Sequence, residues 1–248
     1  MGGSIRMARK YYNNPPIKEV VCEFRFSQTS QWDPTIPGLI FERLREEFPN
    51  RDKGKNIETE LTFDNDQVQP KVTLLERAIF RNVENNIIIQ VGTNHLVINH
   101  LIPYSNWDNY LRVIDKAFTA YKEVTEATTL DRIELRHINE FSFEPGVTFN
   151  LEDYFDFYPH FGMHLENGYN SFIVGIQAQY EDDIQKMQMV SNENTIILDE
   201  TYFSGKPNTI NFEEVLDWLN IAHERNNNAF ESAIKQKLRN SFGEVRDE

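Results

Sequence analysis

The chain has 248 residues, an apolar fraction of 40% that includes 18 Phe, 10 Tyr and 3 Trp, and 25 Lys and Arg against 39 Asp and Glu for a formal charge of −14. That length suits one large domain or two small fused ones with ample core material, which excludes disorder, and such acidity is repelled by phosphate backbones and anionic lipid. The single Cys22 closes no internal disulfide and no apolar stretch nears the roughly 20 residues of a bilayer span, so a stapled secreted scaffold, a Cys-rich zinc module and a membrane helix fall away.

The opening MGGSIR, ahead of a second methionine at Met7, reads as a cloning remnant or an alternative start, and residues 1–11 are set apart from the fold as a disordered beginning. MGGSIRMARKYY has no apolar signal segment, so a reducing cytoplasm is the expected compartment. Val20 to Phe26 reads as a strand: Pro15-Pro16 stops a helix from entering it, and Cys22, Phe24 and Phe26 alternate with Glu23 and Arg25. Pro37 then opens a helix that carries Leu39, Ile40, Leu44 and Phe48 at helical spacing until Pro49. Arg51 to Asn56 reads as a polar loop. Strands are expected at Val68 to Leu75, Ala78 to Val83, Ile87 to Val91 and Leu96 to Leu101, and the turn chemistry of Asn85-Asn86 and Gly92-Thr93-Asn94 makes them an antiparallel meander.

Ser105 is the expected cap of an amphipathic helix over Asn106 to Val124, with Trp107, Tyr110, Leu111, Ile114, Phe118 and Tyr121 on one stripe. Leu130 to Phe143 follows as a long strand with Ile133, Leu135, His137, Asn139 and Phe141 on one side. Shorter strands at Ser171 to Tyr180, Lys186 to Val190 and Thr195 to Phe203 lead to one long helix from about Phe212 to Ser241. This order defines an α+β protein, an antiparallel sheet system with packed helices. No repeat is strong enough in identity to prove duplication, but the stretches 12–143 and 144–248 share a grammar and read as pseudo-repeated halves of one domain.

Candidate chemistry is sparse. Neither GxGxxG nor GxxxxGK occurs, no serine has a GxSxG context, and no cofactor is expected. His160 and His164 flank Gly162 and follow Pro159, which rules out one regular helix face and leaves them as loop histidines. His95 and His100 point to opposite faces of a strand and share no ligand. Asp182-Asp183 and Asp199-Glu200 are adjacent and diverge on a strand, and Cys22 reads as a small buried hydrophobe. Arg132, Arg136 and His137 concentrate base in an acidic chain. Arg132, Glu134 and Arg136 share a strand face as an ion-pair ladder, or the arginine forks open an anion pocket with His223 and Asn227 from the last helix. His223 alone reads as a helix-surface histidine.

The segments Asn14-Pro15-Pro16-Ile17-Lys18-Glu19, Cys22-Glu23-Phe24-Arg25-Phe26, Ile89 to Asn94, Asn99 to Tyr104 with Trp107, and Arg132 to Asn139 resemble a sporadically distributed bacterial family of uncharacterised proteins. The resemblance continues through Trp218-Leu219, Ala222-His223-Glu224, Phe230-Glu231, Leu238-Arg239 and Phe242-Gly243, so it spans Tyr12 to Gly243. The family's strand motif more often reads Arg-Tyr-Ile-Asn, from which His137 departs. The resemblance implies no activity and no catalytic residue; patchy distribution implies an accessory gene of the defence or toxin-antitoxin kind.

Between Glu144 and Ser204 eleven acids face one base, Lys186, among Tyr154, Phe155, Phe157, Tyr158, Phe161 and Tyr169. The expected function is a non-catalytic protein-binding subunit, an accessory component of such an operon. Tyr154, Phe157 and Tyr158 would anchor a basic protein partner and Asp182 and Asp183 would steer it. The contrasting reading is a small-ligand or hydrolytic pocket built from Arg132, Arg136, His137, His223 and Asn227. A DNA mimic would need carboxylates spaced along one face like phosphates.

Overall fold

The computed structural model describes residues 11–27, 32–64, 67–144, 150–160, 171–192 and 194–245, with the backbone alone at 55–64 and 67–75. Of the start expected to be disordered at 1–11, residues 1–10 lie outside the described residues, as do Phe161, His164 and Tyr169, while Tyr11 belongs to a short strand. In chain order the elements are β1 (Tyr11–Tyr12), β2 (Ile17–Phe26), α1 (Ile36–Leu44), β3 (Asn50–Asp64), β4 (Gln67–Arg81), β5 (Ile87–Gly92), β6 (His95–Leu101), α2 (Trp107–Thr125), β7 (Leu130–Ser142), a single 3-10 turn (Leu151–Asp153), β8 (Ile173–Tyr180), β9 (Asp183–Asn192), β10 (Thr195–Ser204), α3 (Val215–Ala233), α4 (Gln236–Phe242) and β11 (Glu244–Val245). Nine strands form one antiparallel sheet in the order β3-β4-β5-β6-β2-β7-β10-β9-β8, and β1 pairs with β11. The protein is therefore α+β, as its sequence order implies. The chain divides into two compact units built from interleaved segments: one is Val21–Glu134 with Lys206–Leu216, the other Met1–Val20, Leu135–Gly205 and Asp217–Glu248.

The first unit is the meander with α1 and α2. β3 pairs with β4 from Asn50 opposite Arg81 to Asp64 opposite Gln67, and β5 pairs with β4 and β6. The expected polar loop at Arg51 to Asn56 is thus the start of β3, and the two short strands expected between Val68 and Val83 are one strand, β4. A polar segment without alternation gives no strand signal of its own; the residue-by-residue partner supplies it. Asn85 and Asn94 adopt φ of 56° and 54° in the turns, a left-handed conformation that asparagine tolerates.

Asn106, rather than Ser105, caps α2: its extended backbone lets the side-chain oxygen accept from the Asn109 N–H at 2.9 Å. The α2 stripe then buries Tyr110, Ile114, Phe118 and Tyr121. Phe26 stacks on Tyr121 at 4.4 Å and Phe24 lies 4.9 Å from Phe118. The Tyr110 hydroxyl donates to Ile98 C=O and that of Tyr121 to Gly92 C=O, so the two phenols bury their rings without stranding a donor.

The second unit packs β7, β10, β9 and β8 with α3 and α4. Phe141, Phe155, Met189, Leu198, Ile234 and Leu238 form its core. The long helix expected from Phe212 to Ser241 is two helices. The chain leaves α3 after Ala233 because Ile234 bridges to Phe155, Lys235 N–H donates to Tyr154 C=O at 2.7 Å, and Asp156 N–H donates to Ala233 C=O at 2.8 Å. Backbone from the segment after the 3-10 turn takes over the helix's own end carbonyl, so tertiary pairing overrides a helical apolar spacing that runs on through Leu238.

Candidate functional site

β7 places the sequence-predicted residues, and its two-residue period separates them. Leu135, His137, Asn139 and Phe141 are buried on one face, while Arg132, Glu134, Arg136 and Glu140 alternate with them on the other. Arg136 takes Asp199 of β10 in a two-pronged ion pair, Nε lying 2.9 Å and 3.0 Å from the carboxylate oxygens with Nη2 also bonded. Arg132 bonds Glu134 at 2.6 Å. The expected Arg-Glu-Arg ladder thus has its Arg132–Glu134 rung, and Arg136 is committed across strands to Asp199. An arginine fork already filled by a carboxylate offers an anion little.

His137, His223 and Asn227 do converge. The two imidazoles meet edge to face at 5.3 Å, and Asn227 Nδ2 lies 3.1 Å from His223 Nε2. Around them runs a buried polar seam that no sequence motif announces. Asn226 of α3 donates to Leu135 C=O at 2.9 Å and accepts from Gln185 Nε2 at 3.0 Å. Asn139 donates to Glu200 Oε2 at 2.9 Å. Burial pushes the Glu200 carboxyl well above the usual range and pulls His137 down to about 4, so its imidazole is neutral near pH 7. Such a neutral imidazole and raised acid are proton-transfer groups in principle. Here Glu200 is 0% exposed and His137 5%, and a substrate has to touch the group that serves it.

The remaining groups are similarly engaged. Cys22 is buried, and burial together with Glu23 and Glu134 pushes its thiol up, away from the reactive thiolate. In the meander unit His95 lies 3.1 Å from Glu23, whose carboxylate also accepts from Arg25 at 2.7 Å; burial raises Glu23, but these partners outweigh it and hold it at about 2. His100, on the opposite face of β6, lies against Tyr104 and Tyr110. Among the described residues no three His, Cys, Asp or Glu side chains are grouped to hold a metal ion, and no helix is long and apolar enough to cross a membrane.

The residues expected to bind a partner divide. Tyr154, Phe157 and Tyr158 are partly buried against the core cluster around Phe155, and Lys237 lies over the Tyr154 ring at 4.1 Å. Asp183 turns inward and accepts from the Tyr202 hydroxyl and Trp218 Nε1, each at 3.0 Å, whereas Asp182 is exposed. The apolar surface lies elsewhere, on β8, an edge strand with Ile173 73%, Ile176 53% and Tyr180 37% exposed. Arg225 of α3 stacks over Tyr180 at 4.3 Å, and Ile221, one turn earlier on α3, is 50% exposed. The signal was in the sequence: Ile173 to Tyr180 (IVGIQAQY) contains neither a charge nor a proline.

The fold and site define an α+β protein whose candidate acid–base groups His137 and Glu200 are buried and whose edge strand β8 carries the exposed apolar residues Ile173, Ile176 and Tyr180. No protein-family model matches the chain, and no curated protein does.

Proposed function

We propose that the protein is a non-catalytic binding subunit that docks a basic protein partner on the acidic surface around β8, as an accessory component of a bacterial defence or toxin-antitoxin type operon. The observation that carries the docking is β8 itself, an exposed edge strand without the lysines, prolines or bulges that natural sheets use to blunt such edges. Exposed acids accompany it: Glu181 and Asp182 follow directly in the chain, and Asp217 and Glu224 are exposed on α3. These acids outnumber the bases beside the strip, Lys186 of β9 and Arg225 of α3, and a net negative rim steers a positive partner toward apolar residues that anchor it. The placement of the operon rests on the resemblance described above. Co-expression with the products of adjacent genes, followed by size-exclusion chromatography, tests the reading. A stoichiometric complex that weakens with salt and is lost in Ile176→Asp is expected; a chain that elutes unaccompanied with every neighbour refutes it.

A further inference from the structure

The pairing of β8 with β9 fixes which backbone groups face outward. Ser191 N–H donates to Phe172 C=O at 3.0 Å, and the register continues from Ile173 opposite Val190 to Tyr180 opposite Asp183. Antiparallel pairs alternate between bonded and unbonded, so Val174, Ile176, Ala178 and Tyr180 direct their N–H and C=O groups to β9. Ile173, Gly175, Gln177 and Gln179 direct theirs away from it, along the outer edge. Four residues in phase offer a row of donors and acceptors long enough for a strand of ordinary length. The other edge of the sheet differs: β3 (NRDKGKNIETELTFD) carries seven charged residues, the usual protection against unwanted pairing.

We infer that the partner lays a basic, extended segment of its own along the outer edge of β8 and adds a tenth strand to the sheet. The inference rests on the docking reading above and specifies its mode. Main-chain hydrogen bonds to Ile173, Gly175, Gln177 and Gln179 supply the affinity, and alternate apolar side chains of the added strand meet Ile176 and Tyr180. Charge selects the occupant. The stretch from Glu144 to Ser204 holds eleven acids and one base, so a second copy of this chain, carrying −14, would be repelled, while a strand flanked by Lys or Arg is attracted.

The experiment uses the full chain and the synthetic peptide acetyl-Lys-Thr-Val-Lys-Val-Thr-Val-Lys-amide, with a counterpart in which Glu replaces every Lys. Hydrogen exchange is expected to slow at Gly175, Gln177 and Gln179 when the basic peptide is added, and the acidic peptide to bind about tenfold or more weakly. Gln177→Pro removes an outward N–H without touching the β9 ladder, a place where an edge strand accepts proline. That variant is expected to keep its circular dichroism and melting temperature while losing the peptide; Gln177→Ala keeps both. Unchanged exchange at these amides, undiminished binding by Gln177→Pro, or no binding of the basic peptide at low salt overturns the inference. In the complex with an adjacent gene product, loss in Ile176→Asp but not in Gln177→Pro leaves the docking surface standing and removes strand addition. Indifference to both removes the docking reading as well.

Discussion

Replacing Asn226 by Ala tests whether the buried seam of the α3 unit holds α3 to the sheet. Asn226 is fully buried on α3, and its amide spans two strands: Nδ2 reaches Leu135 C=O of β7, and Oδ1 receives Gln185 Nε2 of β9. Truncation deletes two hydrogen bonds, each worth about 1 kcal/mol net, and leaves the Leu135 carbonyl short of a partner in a dry interior, a further cost of about 1–2 kcal/mol. Gln185 keeps Thr201 C=O at 3.3 Å, so its share stays small. The expected loss is about 3 kcal/mol, a large part of the roughly 5–15 kcal/mol by which proteins are stable. With a urea slope of about 3 kcal/mol/M, the unfolding midpoint falls by about 1 M. Asn226→Asp preserves size but turns an oxygen toward the Leu135 carbonyl, so it is expected to cost at least as much at neutral pH and to recover on acidification, when the protonated acid donates again. A midpoint for Asn226→Ala within about 0.2 M of wild type, about 0.5 kcal/mol at that slope, would refute the reasoning.

The other predictions concern pH. Burial holds both His137 and His100 at about 4, below the ordinary histidine value near 6.5, so the fold favours their neutral forms. Their contribution is complete above about pH 6.5 and is lost as the pH falls toward 4, because the unfolded chain then binds the extra protons. Fully expressed, the difference is worth about 3 kcal/mol for the more deeply enclosed His137. Melting temperatures between pH 7 and 4.5 should decline steeply in wild type and less so in His137→Gln; parallel curves for the two proteins contradict the assignment. Glu200 acts at the other end. With its folded pKa raised, the unfolded carboxyl ionises first, and stability drains away as the pH climbs from about 4.3 toward the folded value. Glu200→Gln, which retains the acceptor for Asn139, should match wild type near pH 4 and exceed it at pH 8, as read by urea midpoints; an equal gain at both pH values means the carboxyl is not the cause.

Strands whose sequence alternates were legible from one segment alone. Cys22, Phe24 and Phe26 announce the buried face of β2, and the stripe from Trp107 to Tyr121 announces α2, since one side of each meets the core and the period records it. β3 was not legible, because its evidence is β4 paired along its whole length. The end of α3 was hidden for the same reason: nothing near Ile234 says that Phe155 will bridge to it. The candidate site followed this rule. Period two put His137 and Asn139 on one face of β7 and Arg136 on the other, and the structure has them so. That Asp199 would fill the Arg136 fork, and that Asn226 and Gln185 would meet inside, depends on strand order, which no local pattern encodes.

The same separation bears on what the protein does. Polar groups buried between sheet and helix carry a desolvation cost; Asn226, Gln185 and the Leu135 carbonyl bond one another and hold the fold, while among the described residues Gln185 Oε1, Glu200 Oε1 and His137 Nε2 are buried without a hydrogen bond. The arginines on the open face of β7 are spent on Glu134 and Asp199. At β8 the balance reverses. Every second residue there turns its backbone donor and acceptor away from β9 with no further strand beside it among the described residues, next to exposed apolar side chains that gain by leaving water. Covering that edge with a strand replaces water at four residues with fixed partners and buries Ile176 and Tyr180 in the same step. Among the described residues this is where association yields both backbone pairing and apolar burial, and the acids of α3 and of the β8–β9 turn decide the charge of the chain that provides them.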